Sequence, residues 1–136
     1  PAQPWPRVLD YGCGSGILAI GAALHGAGEI DAVDIDPVAI QATESNAAAN
    51  HVRLRAGLPE GIGGRYGVVL ANILAPVLVR LLGEGLAELL EPGGVLVLSG
   101  ILAEQAGEVQ AALEKSGLRL IETRQMGDWV ALVGAV

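Results

Sequence analysis

The feature that most constrains this chain is the alternation of short apolar runs with helical apolar stripes along its whole length. Arg7–Asp10 is a short apolar run that closes on an acid. After a glycine-rich turn, Ile17, Ile20, Gly21 and Leu24 share one helical face. Ile30–Ile35 reads as a second strand. Asp36 and Pro37 then read as an N-cap and a first-turn proline, opening an alanine-rich helix that runs to Asn50. Val52–Ala56 is a weaker third strand, and the glycines and proline of Gly57–Gly64 mark a loop. Val68–Ala71 is a fourth strand, followed by a helix whose stripe is Ala75, Leu78, Val79, Leu82, Leu86 and Leu89. Glu91–Gly94 reads as a turn and Val95–Leu98 as a fifth strand. Leu102, Ala106, Val109 and Leu113 mark a further helix, which Gly117 ends.

The last two strands, Leu118–Thr123 and Trp129–Val133, are separated only by Arg124–Asp128. That gap is too short for a parallel crossover, so the pair must be an antiparallel hairpin. The pattern therefore predicts an α/β fold: a seven-stranded, mostly parallel, Rossmann-like sheet with helices on both faces and a C-terminal antiparallel hairpin. No internal repeat and no linker divides the 136 residues, so residues 1–136 read as one domain.

In such a sheet, ligands sit beyond the carboxyl ends of the strands, where the strand order reverses. The stretch VLDYGCGSG, Val8 to Gly16, supplies the turn after the first strand. Gly12, Gly14 and Gly16 let the backbone approach a ligand closely. Their spacing is not that of the dinucleotide fingerprint, because Ile17 stands where its third glycine would fall. Asp10 suits a cationic or amine-bearing ligand, and it would repel a pyrophosphate. Asp34, eighteen residues after Gly16, stands where an acid accepts hydrogen bonds from ribose hydroxyls.

Composition narrows the partners. The net charge is −7 and Lys115 is the only lysine. Such a surface repels phosphate backbones, making DNA or RNA a poor partner and a basic protein a better one. The four aromatic residues, Trp5, Tyr11, Tyr66 and Trp129, form no base-stacking patch. No apolar run is long enough to span a bilayer, so no membrane partner is expected. The lone Cys13 precludes an internal disulfide and suits a cytoplasmic location. No His, Cys or Asp cluster has metal-ligand spacing.

Together, VLDYGCGSG, VDID (Val33–Asp36) and LEPGGVLVLSG (Leu90–Gly100) resemble the motifs of class I S-adenosylmethionine-dependent methyltransferases. NILA (Asn72–Ala75), VDIDPVAIQATESNAAAN and LSGILAEQA resemble more closely the PrmA family, which methylates amino groups of the eleventh large-subunit ribosomal protein. This likeness runs from Arg7 to Val133. It implies S-adenosyl-L-methionine as cofactor and a basic ribosomal protein as substrate. By the same likeness, Gly12, Cys13, Gly14 and Gly16 would wrap the methionine and ribose parts. Asp10 would hold the amino group, and Asp34 the ribose hydroxyls. Ile35, Gly57 and Leu58 would flank the adenine. Asn72 would sit at the methyl end and orient the target amine as the catalytic residue.

Bland readings stand beside these. Asn72 can cap the following helix, Ser15 reads as a cap, and Cys13 as a small space-filling residue. His25 and His51 read as surface residues, so neither is the base. A lysine amine must lose its proton before attack, which costs about 4.6 kcal/mol at pH 7.

The family pattern includes an N-terminal substrate-recognition domain that this sequence does not show. The expectation is then an apolar surface left exposed and a tendency to self-associate. Gly67 stands where the family usually has an acid, and glycine should weaken that strand. Two alternatives follow: a cofactor-binding fragment inactive without an N-terminal domain, or a class I methyltransferase acting on RNA or a small molecule.

Overall fold

A computed structural model describes residues 5–136; of the 1–136 domain, residues 1–4 lie outside the described part. Seven strands form one sheet in the order β3-β2-β1-β4-β5-β7-β6. They are β1 (Val8–Tyr11), β2 (Ile30–Val33), β3 (Arg55–Gly57), β4 (Tyr66–Asn72), β5 (Leu90–Leu102), β6 (Arg119–Met126) and β7 (Trp129–Ala135). The first five in that order are parallel, and β7 is antiparallel to both β5 and β6. Four helices join them: α1 (Ile17–Leu24), α2 (Pro37–Ala49), α3 (Ala75–Gly83) and α4 (Ala106–Lys115). The predicted sheet, helix count and hairpin are all present.

Each face has its own core. Leu9, Val33, Val69, Leu96, Leu98 and Leu132 are buried with α3 and α4. Val8, Ile30 and Ala32 are buried on the α1–α2 side with Ala19, Cys13 and Ala27. Alternate residues of β1 and β2 thus serve opposite layers, which explains why these runs read as continuously apolar. Asp36 caps α2, its Oδ1 accepting the Val38 N–H at 2.9 Å, with Pro37 in the first turn as the sequence indicates.

Several boundaries differ from expectation. The Leu86–Leu89 segment leaves the α3 stripe, because Gly85 adopts φ 102° and a separate 3₁₀ turn follows. Leu102 ends β5 and does not open α4. The EPGG segment lies inside β5, where a register shift opposite Tyr66–Val68 absorbs it. β2 stops at Val33, and β3 starts at Arg55, later than the β-branched Val52 suggests. The hairpin strands reach inward until only Gly127 and Asp128 separate them. Gly127, with φ 60°, takes the first position of that two-residue turn, as type II′ geometry favours.

The β3–β4 connection crosses two strands with residues 58–65 and no α-helix. β3 is three residues long. The chain therefore returns only about 10 Å along the sheet while stepping about 14 Å across it, within the roughly 27 Å reach of eight residues. Beneath this connection Asp31 of β2 ties together β3, β4 and the residue that precedes β1. It accepts from Arg55 Nε at 2.7 Å, Arg7 at 3.3 Å and the Tyr66 hydroxyl. Gly67, near the start of β4, has a packing reason to be glycine. A Cβ there would collide with Pro6 Cβ and stand 2.8 Å from Glu91 Oε1, so close packing requires glycine.

Candidate functional site

The strand order reverses at β1, flanked by β2 on one side and β4 on the other. The chain beyond β1 turns sharply there: the Gly12 and Cys13 N–H groups both donate to the Val33 carbonyl, at 2.8 and 2.9 Å. Gly12, Gly14 and Gly16 have φ of 78°, 56° and 88°. Side chains resist these angles, which accounts for the alternating glycines. Gly16 is the N-cap of α1.

Asp34 stands just past β2 and closes this loop. Its Oδ2 accepts the Gly14 N–H at 3.0 Å, and its Oδ1 accepts the Asp36 N–H at 3.0 Å. Each oxygen keeps a lone pair for a hydroxyl donor. Next to it Ile35 is 80% exposed, an apolar face left in solvent beside the site. Gly57 reaches the same place through its carbonyl, which accepts the Asp34 N–H at 3.1 Å, and Leu58 follows half-exposed.

Asp10 is the unusual group. It is 1% exposed, and neither carboxylate oxygen has a hydrogen-bond partner among the described residues. Burial pushes its pKa up to about 6. The Ala19 N–H pulls it back in part without reaching hydrogen-bond geometry, and the Asp34 charge adds to the rise. A buried acid without a partner is costly, and a ligand ammonium would supply that partner.

Asn72 ends β4, exposed, opposite Ser99 of β5. It does not cap α3, whose N-cap is Leu74 with no side-chain bond. Its Oδ1 lies so near β5 that a Cβ on Gly100 would come within 2.6 Å of it. The sequence-predicted residues Asp10, Gly12, Gly14, Gly16, Asp34, Ile35, Gly57, Leu58 and Asn72 thus gather at the carboxyl ends of β1–β4. Cys13 joins them only through its backbone. Its thiol is buried on the α1–α2 side, 3.2 Å from the Thr43 hydroxyl oxygen, and burial raises its pKa, so it fills space. Ser15 caps nothing and stands exposed. His25 and His51 are exposed at the far ends of α1 and α2. A cleft of about 700 Å³ lies under the β3–β4 connection and touches the site at Gly57 and Leu58.

The sequence profile of ribosomal protein L11 methyltransferase (PrmA) matches residues 2–136. This chain belongs to that family. The ribosomal protein L11 methyltransferase of Bordetella parapertussis is 53% identical over 129 residues, covering 94% of this chain and 41% of its own length. That of Pelotomaculum thermopropionicum is 45% identical over 135 residues, covering 96% and 44%. The chain therefore spans less than half the length of these relatives. The ribosomal protein L11 methylase of Lactobacillus delbrueckii subsp. bulgaricus superimposes with a TM-score of 0.88 at 33% identity, covering 97% of this chain and 70% of that one. The fold alone is shared with the magnesium protoporphyrin IX methyltransferase of Synechocystis, crystallised with bound SAM, at TM-score 0.76 and 19% identity over 97% of this chain and 70% of that one.

Within this PrmA-type fold, two residues that motif reading passes over hold the glycine loop from α2. Thr43 is fully buried and donates to the Gly14 carbonyl at 3.0 Å. Asn46 donates to the Ser15 carbonyl at 2.8 Å. The available signal was their spacing, which puts Thr43 and Asn46 one turn apart on the same face of the helix. Among the described residues, no group of three or more His, Cys, Asp or Glu is placed to hold a metal ion.

Proposed function

We propose that residues 1–136 form the S-adenosyl-L-methionine-binding domain of a methyltransferase acting on amino groups of ribosomal protein L11. The observation that carries this reading is the buried, unpartnered Asp10 carboxylate under the glycine loop, with Asp34 beside it. One acid fits an α-ammonium and the other a ribose diol. The family's name supplies the substrate.

S-adenosylmethionine would bring a sulfonium methyl group that an amine lone pair can take, S-adenosylhomocysteine leaving as the neutral thioether. The chain's own residues bind and orient. Asp10 holds the cofactor ammonium and Asp34 the ribose hydroxyls. Ile35, Gly57 and Leu58 flank the adenine, and Gly12, Gly14 and Gly16 leave room for the rest. Asn72 offers a neutral acceptor, Oδ1, that aims an amine without taking its proton. A lysine side chain or an N-terminus is the amine to be methylated, and burial of the amine against Leu74 and Ile73 favours its neutral form. A ribosomal substrate and a free thiol both suit the reducing cytoplasm.

Incubation of the chain with S-adenosylmethionine and purified L11, followed by intact mass, tests this. Methyl increments on L11 support the reading. A chain that binds cofactor but modifies no L11 is a binding module only, and a chain that binds no cofactor contradicts the reading.

A further inference from the structure

The cations of this molecule are sorted along the strand axis, while acids stand at both ends, Glu29 and Asp31 meeting Arg7 at 3.2 and 3.3 Å beside the strand starts. Asp10, Asp34, Asp36, Glu104, Glu108 and Asp128 stand at the carboxyl ends of the parallel strands or in the segments that leave them. The cations stand at the other end. Arg7, Arg53, Arg55, Arg65 and Arg119 precede or open their strands, and Arg80 and Lys115 lie in the later turns of α3 and α4. The exception, Arg124, is neutralised by Glu122 at 2.8 Å. The end that carries the candidate site is therefore acidic.

That end also has a wall. β4 stops at Asn72, opposite Ser99, while β5 continues through Leu102, about 10 Å further. The β6–β7 hairpin rises with it. Leu102 pairs with Trp129, and Trp129 with Met126. Cross-strand partners share a face, so these three make one apolar row. Trp129 is 55% exposed and Met126 84%. Asp128 sits in the hairpin turn, its carbonyl accepting the Ala103 N–H at 2.9 Å, which brings it beside Glu104. The row and its two acids are not part of the cofactor site.

We infer that this wall, the Leu102–Trp129–Met126 row edged by Glu104 and Asp128, is the docking ledge for a lysine-rich segment of the polypeptide substrate. The inference rests on the proposed function. The occupant follows from charge: a protein that binds ribosomal RNA presents lysine and arginine, whose charged heads meet the two acids while their methylene stems lie on Trp129 and Met126. The ledge would bring the target amine past Gly100 to Asn72.

The test measures two affinities on each protein: S-adenosylhomocysteine by calorimetry, and fluorescein-labelled L11 by anisotropy with the cofactor product bound. The variants are Glu104→Gln/Asp128→Asn and Met126→Ser/Trp129→Ser. All three proteins should bind S-adenosylhomocysteine equally, which a general loss of structure would prevent. Each variant should weaken L11 binding about five- to tenfold, and the charge variant should also flatten its salt dependence. Undiminished L11 binding by both variants overturns the ledge, as does a wild-type chain that binds S-adenosylhomocysteine but not L11. A dimer in solution that Met126→Ser/Trp129→Ser dissociates also overturns it, since a second copy would then be the occupant. Failure to bind S-adenosylhomocysteine at all sinks the proposed function, and the ledge with it.

Discussion

The hydroxyl of Thr43 donates to the carbonyl of Gly14 at 3.0 Å, and this bond joins the middle of α2 to the crown of the glycine loop. Gly16 shows how close the fit is, since a Cβ there would stand 2.9 Å from Thr43 Cγ2. The helix thus braces the loop from below while Asp34 holds it from the side.

Thr43→Val keeps the shape and removes the donor. The expected cost in stability is about 1 kcal/mol, read from urea unfolding. Affinity for S-adenosylhomocysteine should fall about three- to tenfold, because the loop loses its fixed position. Equal affinity in the variant would show that the loop does not depend on α2.

Gly100→Ala tests the methyl end. Gly100 has φ 78°, and its added Cβ would meet Asn72 Oδ1 at 2.6 Å. Strain of about 1 kcal/mol or more is expected, and Asn72 must move. Methyl transfer to L11 should fall at least tenfold with cofactor affinity unchanged. A parallel loss of cofactor affinity would place Asn72 in cofactor binding alone.

Asp10 links stability, binding and pH. Its folded pKa of about 6 lies above the ordinary value of 3.8. Such a group favours the folded state fully below the lower value, and the contribution is lost as pH rises from about 4 to about 6. Above pH 6 the buried charge costs about 3 kcal/mol in the ligand-free chain. Asp10→Asn should therefore stabilise the ligand-free chain at pH 7, by about 1–3 kcal/mol, and abolish measurable cofactor binding. In the unaltered chain, affinity for S-adenosylhomocysteine should be flat from pH 7 to 8 and fall up to tenfold per unit below pH 6. Calorimetry across this range, in buffers of different ionisation enthalpy, reads both the affinity and the proton released on binding.

Most of this architecture was legible because short apolar runs and helical stripes are local signals. The five-residue gap before Trp129 forced an antiparallel pair even though the true turn is only Gly127-Asp128. The site was legible where a motif sits in one stretch, as in Asp10 to Gly16 and at Asp34. What escaped was the reach of one element to another. Thr43 and Asn46 look like ordinary helix residues until α2 is laid under the loop. Gly67 looks like a weak strand residue until Pro6 and Glu91 are packed against it. Likewise Asp31 reads as a polar residue in a strand, and only the fold brings Arg7, Arg55 and Tyr66 to it.

That cluster is itself testable. Burial, reinforced by Asp31, pushes the Tyr66 hydroxyl up to about 12. Asp31→Ala leaves the buried Tyr66 hydroxyl without its acceptor and removes one of the partners of Arg7, which keeps Glu29 and the Gly63 and Arg65 carbonyls. It should cost about 2–4 kcal/mol in urea unfolding, less than a fully buried pair because Arg55 is exposed. Ultraviolet titration should show the Tyr66 pKa moving down toward, but not reaching, 10. No change in that titration would mean that burial alone sets it.

The central claim is that the glycine loop, Asp10 and Asp34 make a site for a sulfonium cofactor and not for a dinucleotide. Calorimetric titration of the folded chain with S-adenosylhomocysteine, with NAD in parallel, tests it most directly. The account predicts one-to-one binding of S-adenosylhomocysteine and no heat from NAD. Binding of NAD in its place, or of neither by a chain shown to be folded, would contradict it.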